Sequence, residues 1–186
     1  MPESKRGERR SGNDRRSGAD RRTADRRSGF DRRADRSWQP ISLDTLAAEG
    51  VDEQGLVAAA ADARTHARAA FSKFKVGAAL ETGAGEVIGG CNIENATYGL
   101  TVCAERVALW KALSEGRDVF TRIAVVADTA DPTPPCGACR QLLWEYCGDI
   151  EVILANLSDV TRRMRLSELL PLPFDARLLE RTSERE

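Results

Sequence analysis

Histidine is almost missing from this chain: His66 is the only one in 186 residues. That scarcity makes an imidazole-built zinc site and a Ser-His-Asp triad hard to assemble. His66 itself sits in an Ala-rich stretch between Arg64 and Arg68, where it reads as a helix-surface residue. Long apolar runs are missing too. No stretch approaches the ~20 residues needed to cross a bilayer, so membrane partners are not expected. The charged N-terminus has no apolar segment behind it, which excludes a secretory signal. There are only five cysteines. With three of them in metal-binding motifs, they suit a reducing compartment better than a disulfide framework. A cytoplasmic location follows as the default expectation.

What is present divides into two materials. The net charge of −1 hides an asymmetry. Residues 1–36 carry 13 Lys and Arg against 7 Asp and Glu, a net of +6, which leaves 15 basic and 22 acidic residues, or −7, on the rest. The basic part repeats Ser-Gly-x-Asp-Arg-Arg, with Asp14, Asp20, Asp25 and Asp31 each preceding an Arg pair and Phe30 as its only aromatic. Such a tract buries too little apolar surface to offset its ordering entropy and reads as disordered. An arginine arm for RNA is the sharper reading, and a solvated tail with partly cancelled charge is the favoured one. Acidic residues also fit poorly in an organelle transit peptide. The expected division is a tail at 1–40, a catalytic domain at 41–180 and a short C-terminal tail at 181–186.

Within the domain, Asp52 to about Arg68 reads as a helix. Lys73 to Glu81 alternates, with Phe74, Val76, Ala78 and Leu80 on one side, which indicates a half-buried strand. Thr82 to Gly85 turns the chain, and Glu86 to Asn92 returns as a hairpin arm. Val102 to Glu115 is apolar nearly all round and reads as a helix buried on several sides, with Gly116 as its cap. Ile123 to Ala127 suits a central strand covered on both faces. A helix at Gly137–Cys147, strands near Ile150–Ala155 and Arg162–Leu166, and a short helix from Ser167 complete an α/β pattern with helices on both faces of a sheet.

Two short stretches carry the chemistry: Thr101-Val-Cys-Ala-Glu-Arg106 and Pro134-Pro-Cys-Gly-Ala-Cys139. Cys103, Cys136 and Cys139 can close three sides of a zinc tetrahedron and leave the fourth for water, the layout of a catalytic site. Glu105, two positions past Cys103, does not share its helix face and is placed to move protons rather than to ligate. Both motifs open helices, where the dipole favours thiolates. Three thiolates on Zn²⁺ leave a charge of −1, and Arg106 is the candidate that offsets it, with Arg140 second. A structural zinc knuckle and a redox Cys-x-x-Cys pair are the competing readings. Cys91 and Cys147 have no partner at ligand spacing and read as small buried hydrophobes. Trp110, Trp144 and Tyr146 read as core or subunit interface.

The paired motifs match the three-cysteine signature of zinc deaminases that act on nucleobases. With Phe71-Ser-Lys-Phe-Lys-Val-Gly-Ala78, Cys91-Asn-Ile-Glu-Asn-Ala-Thr-Tyr98 and Pro135-Cys-Gly-Ala-Cys-Arg-Gln141, residues 45–176 resemble the small, single-domain cytidine deaminases. One departure is Ala70-Phe71, where that family usually has Pro-Tyr. The resemblance implies a three-layer α/β/α sandwich with a mixed five-stranded sheet, and a homotetramer with active sites shared across subunits. It also implies hydrolysis of cytidine and deoxycytidine to the uridines and ammonia, in pyrimidine salvage. On that resemblance Asn92 and Glu94 hold the ribose 3'-hydroxyl, the Ala104 backbone meets the base carbonyl, and Phe74 packs on the base. Ala96, Tyr98 and Phe174 approach from a neighbouring subunit. Glu105 takes a proton from water, delivers it to N3 and then protonates the departing amine. A cytosine-containing antibiotic nucleoside is the nearby alternative substrate, and a non-catalytic, zinc-stapled RNA binder is the alternative of another class.

Overall fold

The computed structural model describes residues 50–158, 161–175 and 178. The repeat tract at 1–40 and the terminal segment 181–186 lie outside the described residues. Helix α1 (Glu53–Thr65) begins where the Asp52 carboxylate accepts the Gly55 N–H at 2.7 Å, an N-cap that satisfies one orphan donor. It ends three residues before the Arg68 expected from sequence, with exposed His66 as its cap. Strands β1 (Val76–Thr82) and β2 (Val87–Cys91) form the expected hairpin. Helix α2 (Ala104–Ser114), strand β3 (Phe120–Ala127), helix α3 (Gly137–Cys147), strands β4 (Glu151–Asn156) and β5 (Thr161–Arg165), and helix α4 (Leu166–Leu169) follow.

The five strands make one mixed sheet in the order β2-β1-β3-β4-β5. Both β2 and β3 run antiparallel to β1, and β4 runs parallel to β3. The strands β2, β3 and β4 therefore share one direction. Helix α2 leaves the C-terminal end of β2 and α3 leaves that of β3, so both helices begin at the same end of the sheet. Open α/β sheets characteristically bind ligands outside the carboxyl ends of their strands.

Side-chain alternation assigns the two faces. Ala78, Leu80, Ile123, Val125, Val152 and Leu154 pack with Ala108, Leu109 and Leu143 of α2 and α3. Ala79, Ala124, Val126, Ile153 and Ala155 pack with Leu56 and Ala60 of α1. Each fully buried Leu, Ile or Val contributes roughly 1.5–3 kcal/mol over exposure. The second face is built from small residues, which lets α1 lie close. A Cβ on Gly77 would stand 2.0 Å from the Ala60 carbonyl oxygen. On the opposite side a Cβ on Gly90 would stand 2.4 Å from the Ala108 nitrogen. These two glycines let helices press onto both sides of the hairpin.

Two expectations need correction. The strand expected at 73–81 as half-buried is buried at every position of Val76–Thr82, because α1 covers the face on which Glu81 and Gly77 lie. Lys73, Phe74 and Lys75 precede the strand in an exposed loop, where Lys73 takes a left-handed conformation (φ 62°). Helix α2 is buried on several sides as expected, through Ala104, Ala108, Leu109 and Ala112, but Trp110 is 45% exposed and Lys111 is exposed beside it. Of the two readings of Trp110 and the exposed Tyr146, core or subunit interface, the core one is therefore corrected.

Glu81 tolerates burial because Arg122 donates to both of its oxygens, at 2.6 and 2.9 Å, and Thr121 adds a bond at 2.7 Å. Burial alone raises this carboxyl, and the bonds from Arg122 and Thr121 more than reverse that effect, holding it below the ordinary value. A carboxyl lowered in the folded state stabilises above the unfolded pKa of ~4.3 and loses that contribution as the pH falls below it. Melting temperatures of the wild type and Glu81→Gln should accordingly differ most near neutrality and converge towards pH 3. Gly77→Ala should cost about 3 kcal/mol in urea unfolding, since rigid backbone on α1 must retreat.

Candidate active site

The two cysteine motifs fold into the two helix starts that the topology brings together. Cys103 is the N-cap of α2 and Cys136 the N-cap of α3, and neither side chain caps its own helix. Their sulfurs stay free to meet across the gap. Cys103 and Cys136 Sγ lie 3.9 Å apart, and Cys136 and Cys139 Sγ 3.5 Å apart. All three sulfurs fall within 4.8 Å of one another. Tetrahedral Zn–S bonds of ~2.3 Å set sulfurs about 3.8 Å apart, so the spacing fits one ion. Glu105 does not join this group among the described residues, which leaves three protein ligands.

Electrostatics support the same reading. Hydrogen bonds from Cys139, Arg106 and Cys136 pull the Cys103 thiol down to about 5 against the opposing effect of burial. Cys139 moves sharply up, because it donates to that sulfur and is buried beside Glu105. One sulfur takes the charge while its neighbour keeps the proton. A divalent cation removes this conflict by displacing the protons. Arg106 Nη2 donates to Cys103 Sγ at 3.6 Å, and Arg106 Nε is buried without a hydrogen-bond partner, the one such side-chain atom among the described residues. A guanidinium set against the sulfurs is the counter-charge an anionic cluster needs. Arg140, the second candidate for that role, instead donates to the Pro135 and Leu169 carbonyls.

Glu105, in the first turn of α2, is only 4% exposed. Burial pushes its carboxyl up, reinforced by the negative charge at Cys103. A raised carboxyl beside a metal site is suited to taking and returning protons. Ala104, fully buried, is the first residue of α2, and its N–H has no intrahelical partner.

The remaining candidates gather on the adjoining loops. Ile93 and Val102 exchange backbone hydrogen bonds at 2.9 Å, which brings the Asn92–Glu94 segment beside the Cys103 turn. Asn92 is 9% exposed, and its amide accepts from Val76 N–H and donates to the Phe74 carbonyl, both at 2.8 Å. Glu94 accepts from the N–H groups of Phe71 and Ser72 and from the Ser72 hydroxyl. Phe71, Ser72, Glu94, Tyr98 and Thr101 line a cleft of about 450 Å³. Phe74 is exposed on the preceding loop, and Ala96 and Tyr98 on the following one, Tyr98 at 77%. Phe174 is exposed in the terminal segment, where its carbonyl accepts from Gln141. The sequence reading gave no role to Ser72 or Thr101, and the Ser-x-Phe turn before β1 was the available signal for Ser72 alone.

The model of the cytidine and deoxycytidylate deaminase zinc-binding region matches residues 51–155. The chain belongs to this family. A cytidine deaminase from Halalkalibacterium halodurans is 54% identical over 127 residues, 68% of this chain and 96% of that protein. The crystal structure of cytidine deaminase from Burkholderia pseudomallei superposes with a TM-score of 0.65 at 47% identity, over 67% of this chain and 100% of that one. A blasticidin-S deaminase from Bacillus cereus is 34% identical over 111 residues, 55% of this chain and 79% of that protein. The matched deaminase region contains both cysteine motifs and all four strands from β1 to nearly the end of β4. Metal analysis of purified protein checks the ligand set: Cys136→Ser should lose stoichiometric zinc, whereas Glu105→Gln should keep it.

Proposed function

We propose that the chain is a zinc-dependent hydrolase that converts cytidine and deoxycytidine, with water, to uridine and deoxyuridine plus ammonia. The observation that carries this reading is the trio of sulfurs at two helix starts with the buried carboxyl of Glu105 beside it. When bound, zinc supplies a Lewis-acid corner that acidifies water. Glu105 would accept one proton of the attacking water and hand it to N3 as the water oxygen bonds to C4, then carry that oxygen's second proton to the amine, which leaves C4 as ammonia. Arg106 offsets the surplus thiolate charge at Cys103. The Ala104 N–H meets the base carbonyl and Phe74 packs on the ring. Asn92, with one N–H and one lone pair left after its backbone bonds, and Glu94 take the sugar 3'-hydroxyl.

The greater identity to cytidine deaminases than to the blasticidin-S enzyme favours the plain nucleoside as substrate. The catalytic domain occupies 41–180. Exposed Tyr98, Trp110 and Phe174 suit a homotetramer in which Ala96, Tyr98 and Phe174 complete a neighbour's site. Among the described residues no helix is long and apolar enough to cross a membrane, and a salvage role in the cytoplasm fits.

The absorbance change of cytidine on deamination tests the proposal: zinc-loaded protein should turn cytidine over, and an unchanged spectrum would defeat it. In the same assay Glu105→Gln should lower kcat by ~10²–10⁴-fold. Arg106→Gln should lower activity by ~10–100-fold without unfolding the protein, and an unchanged rate would remove the charge-balance argument.

A further inference from the structure

We propose that Ser72 is a positioning residue whose hydroxyl aims Glu94 at a sugar hydroxyl while holding the loop that carries Phe74, an inference that rests on the function proposed above. The Ser72 hydroxyl donates to Glu94 Oε1 and accepts the Phe74 N–H at 2.9 Å. A serine has one O–H and two lone pairs, so a single group links the two substrate-facing residues. Phe74 is thereby held at both ends of its backbone, its N–H by Ser72 and its carbonyl by Asn92 at 2.8 Å.

Glu94 is fixed just as closely. Its carboxylate accepts from Phe71 N–H at 2.7 Å, from Ser72 N–H at 3.2 Å and from the Ser72 hydroxyl. The Ser72 hydroxyl bond and the two backbone N–H bonds outweigh partial burial and hold this carboxyl below the ordinary range. An ionised carboxylate is acceptor-only, with about four lone-pair sites. Three are taken by the loop, which leaves room for about one further donor. The group therefore selects a ligand that offers a hydroxyl, on the wall of the cleft lined by Phe71, Ser72, Glu94, Tyr98 and Thr101.

The loop has a reason to need this clasp. Lys73, between Ser72 and Phe74, is a non-glycine residue with φ 62°. Such a conformation persists only where its surroundings over-determine it. Here the Lys73 N–H bonds the Ala69 carbonyl at 3.1 Å and its ammonium bonds the Ala70 carbonyl at 2.6 Å. Ser72 adds the tie from this turn to Glu94, on a different segment of the chain.

The test compares cytidine with 3'-deoxycytidine, on wild type, Ser72→Ala and Ser72→Thr as zinc-loaded full-length protein. A site whose hydroxyl acceptor is misaimed loses discrimination for that hydroxyl. Ser72→Ala should raise KM for cytidine ~10-fold with kcat within ~3-fold, and raise KM for 3'-deoxycytidine by only ~2–3-fold, the share that comes from loosening Phe74. Ser72→Thr, which keeps a hydroxyl, should stay near wild type. Equal losses on both substrates, a loss shared by Ser72→Thr, or no loss at all would overturn the role of Ser72. Absence of cytidine turnover by the wild type would instead sink the function on which it rests, and the inference with it. If Ser72→Ala does not fold, Ser72→Cys, of similar size with only a weak donor, is measured for the same split.

Discussion

Three sulfur atoms within 4.8 Å of one another cannot all be ionised unless a cation sits among them. Like charges at that range strongly disfavour one another, and the protein meets the problem only in part with its own groups. Hydrogen bonds from Cys139, Arg106 and Cys136 favour thiolate at Cys103, while Cys139 is driven towards its protonated form. The cluster is thus a demand for a divalent ion written into the fold. The proposed proton carrier, Glu105, stands in the first turn of α2 and is buried there.

The sheet exists in a form that makes this convergence unavoidable. Because β2 and β3 run the same way, the helices that follow them start side by side. Gly90 lets α2 sit directly on β2, and Gly77 does the same for α1 on the other face of β1. β1 is buried at every position, β2 at alternate ones, and the residue after β2 is the buried Asn92. From there the Ile93–Val102 bridge joins the substrate-side loop to the start of α2. The cysteine at the start of α2 and the residues proposed to meet substrate are therefore joined by one continuous hydrogen-bonded path.

Much of this was legible in the residues. The helices expected at Val102–Glu115 and Gly137–Cys147, the hairpin and the central strand at Ile123–Ala127 were all visible in apolar period and punctuation, although the first helix begins two residues later, at Ala104. The cysteine spacing named the metal group. Burial was read less well where a pattern depends on a distant partner. Lys73, Phe74 and Lys75 look like the alternating end of a strand, yet a left-handed turn at Lys73 removes them from it. Trp110, on an apolar helix, suits core or subunit interface equally well, and its 45% exposure in the single chain speaks against the first. The clasp at Ser72 was invisible because it joins segments 22 positions apart through one hydroxyl, which no local period records.

The central claim is that Cys103, Cys136 and Cys139 hold one zinc ion and leave a corner open. Zinc-edge X-ray absorption on the purified protein tests it most directly. The account predicts three sulfur scatterers at ~2.3 Å and one light atom at ~2.0 Å. Four sulfurs, or a zinc shell made mainly of nitrogen and oxygen, would contradict it.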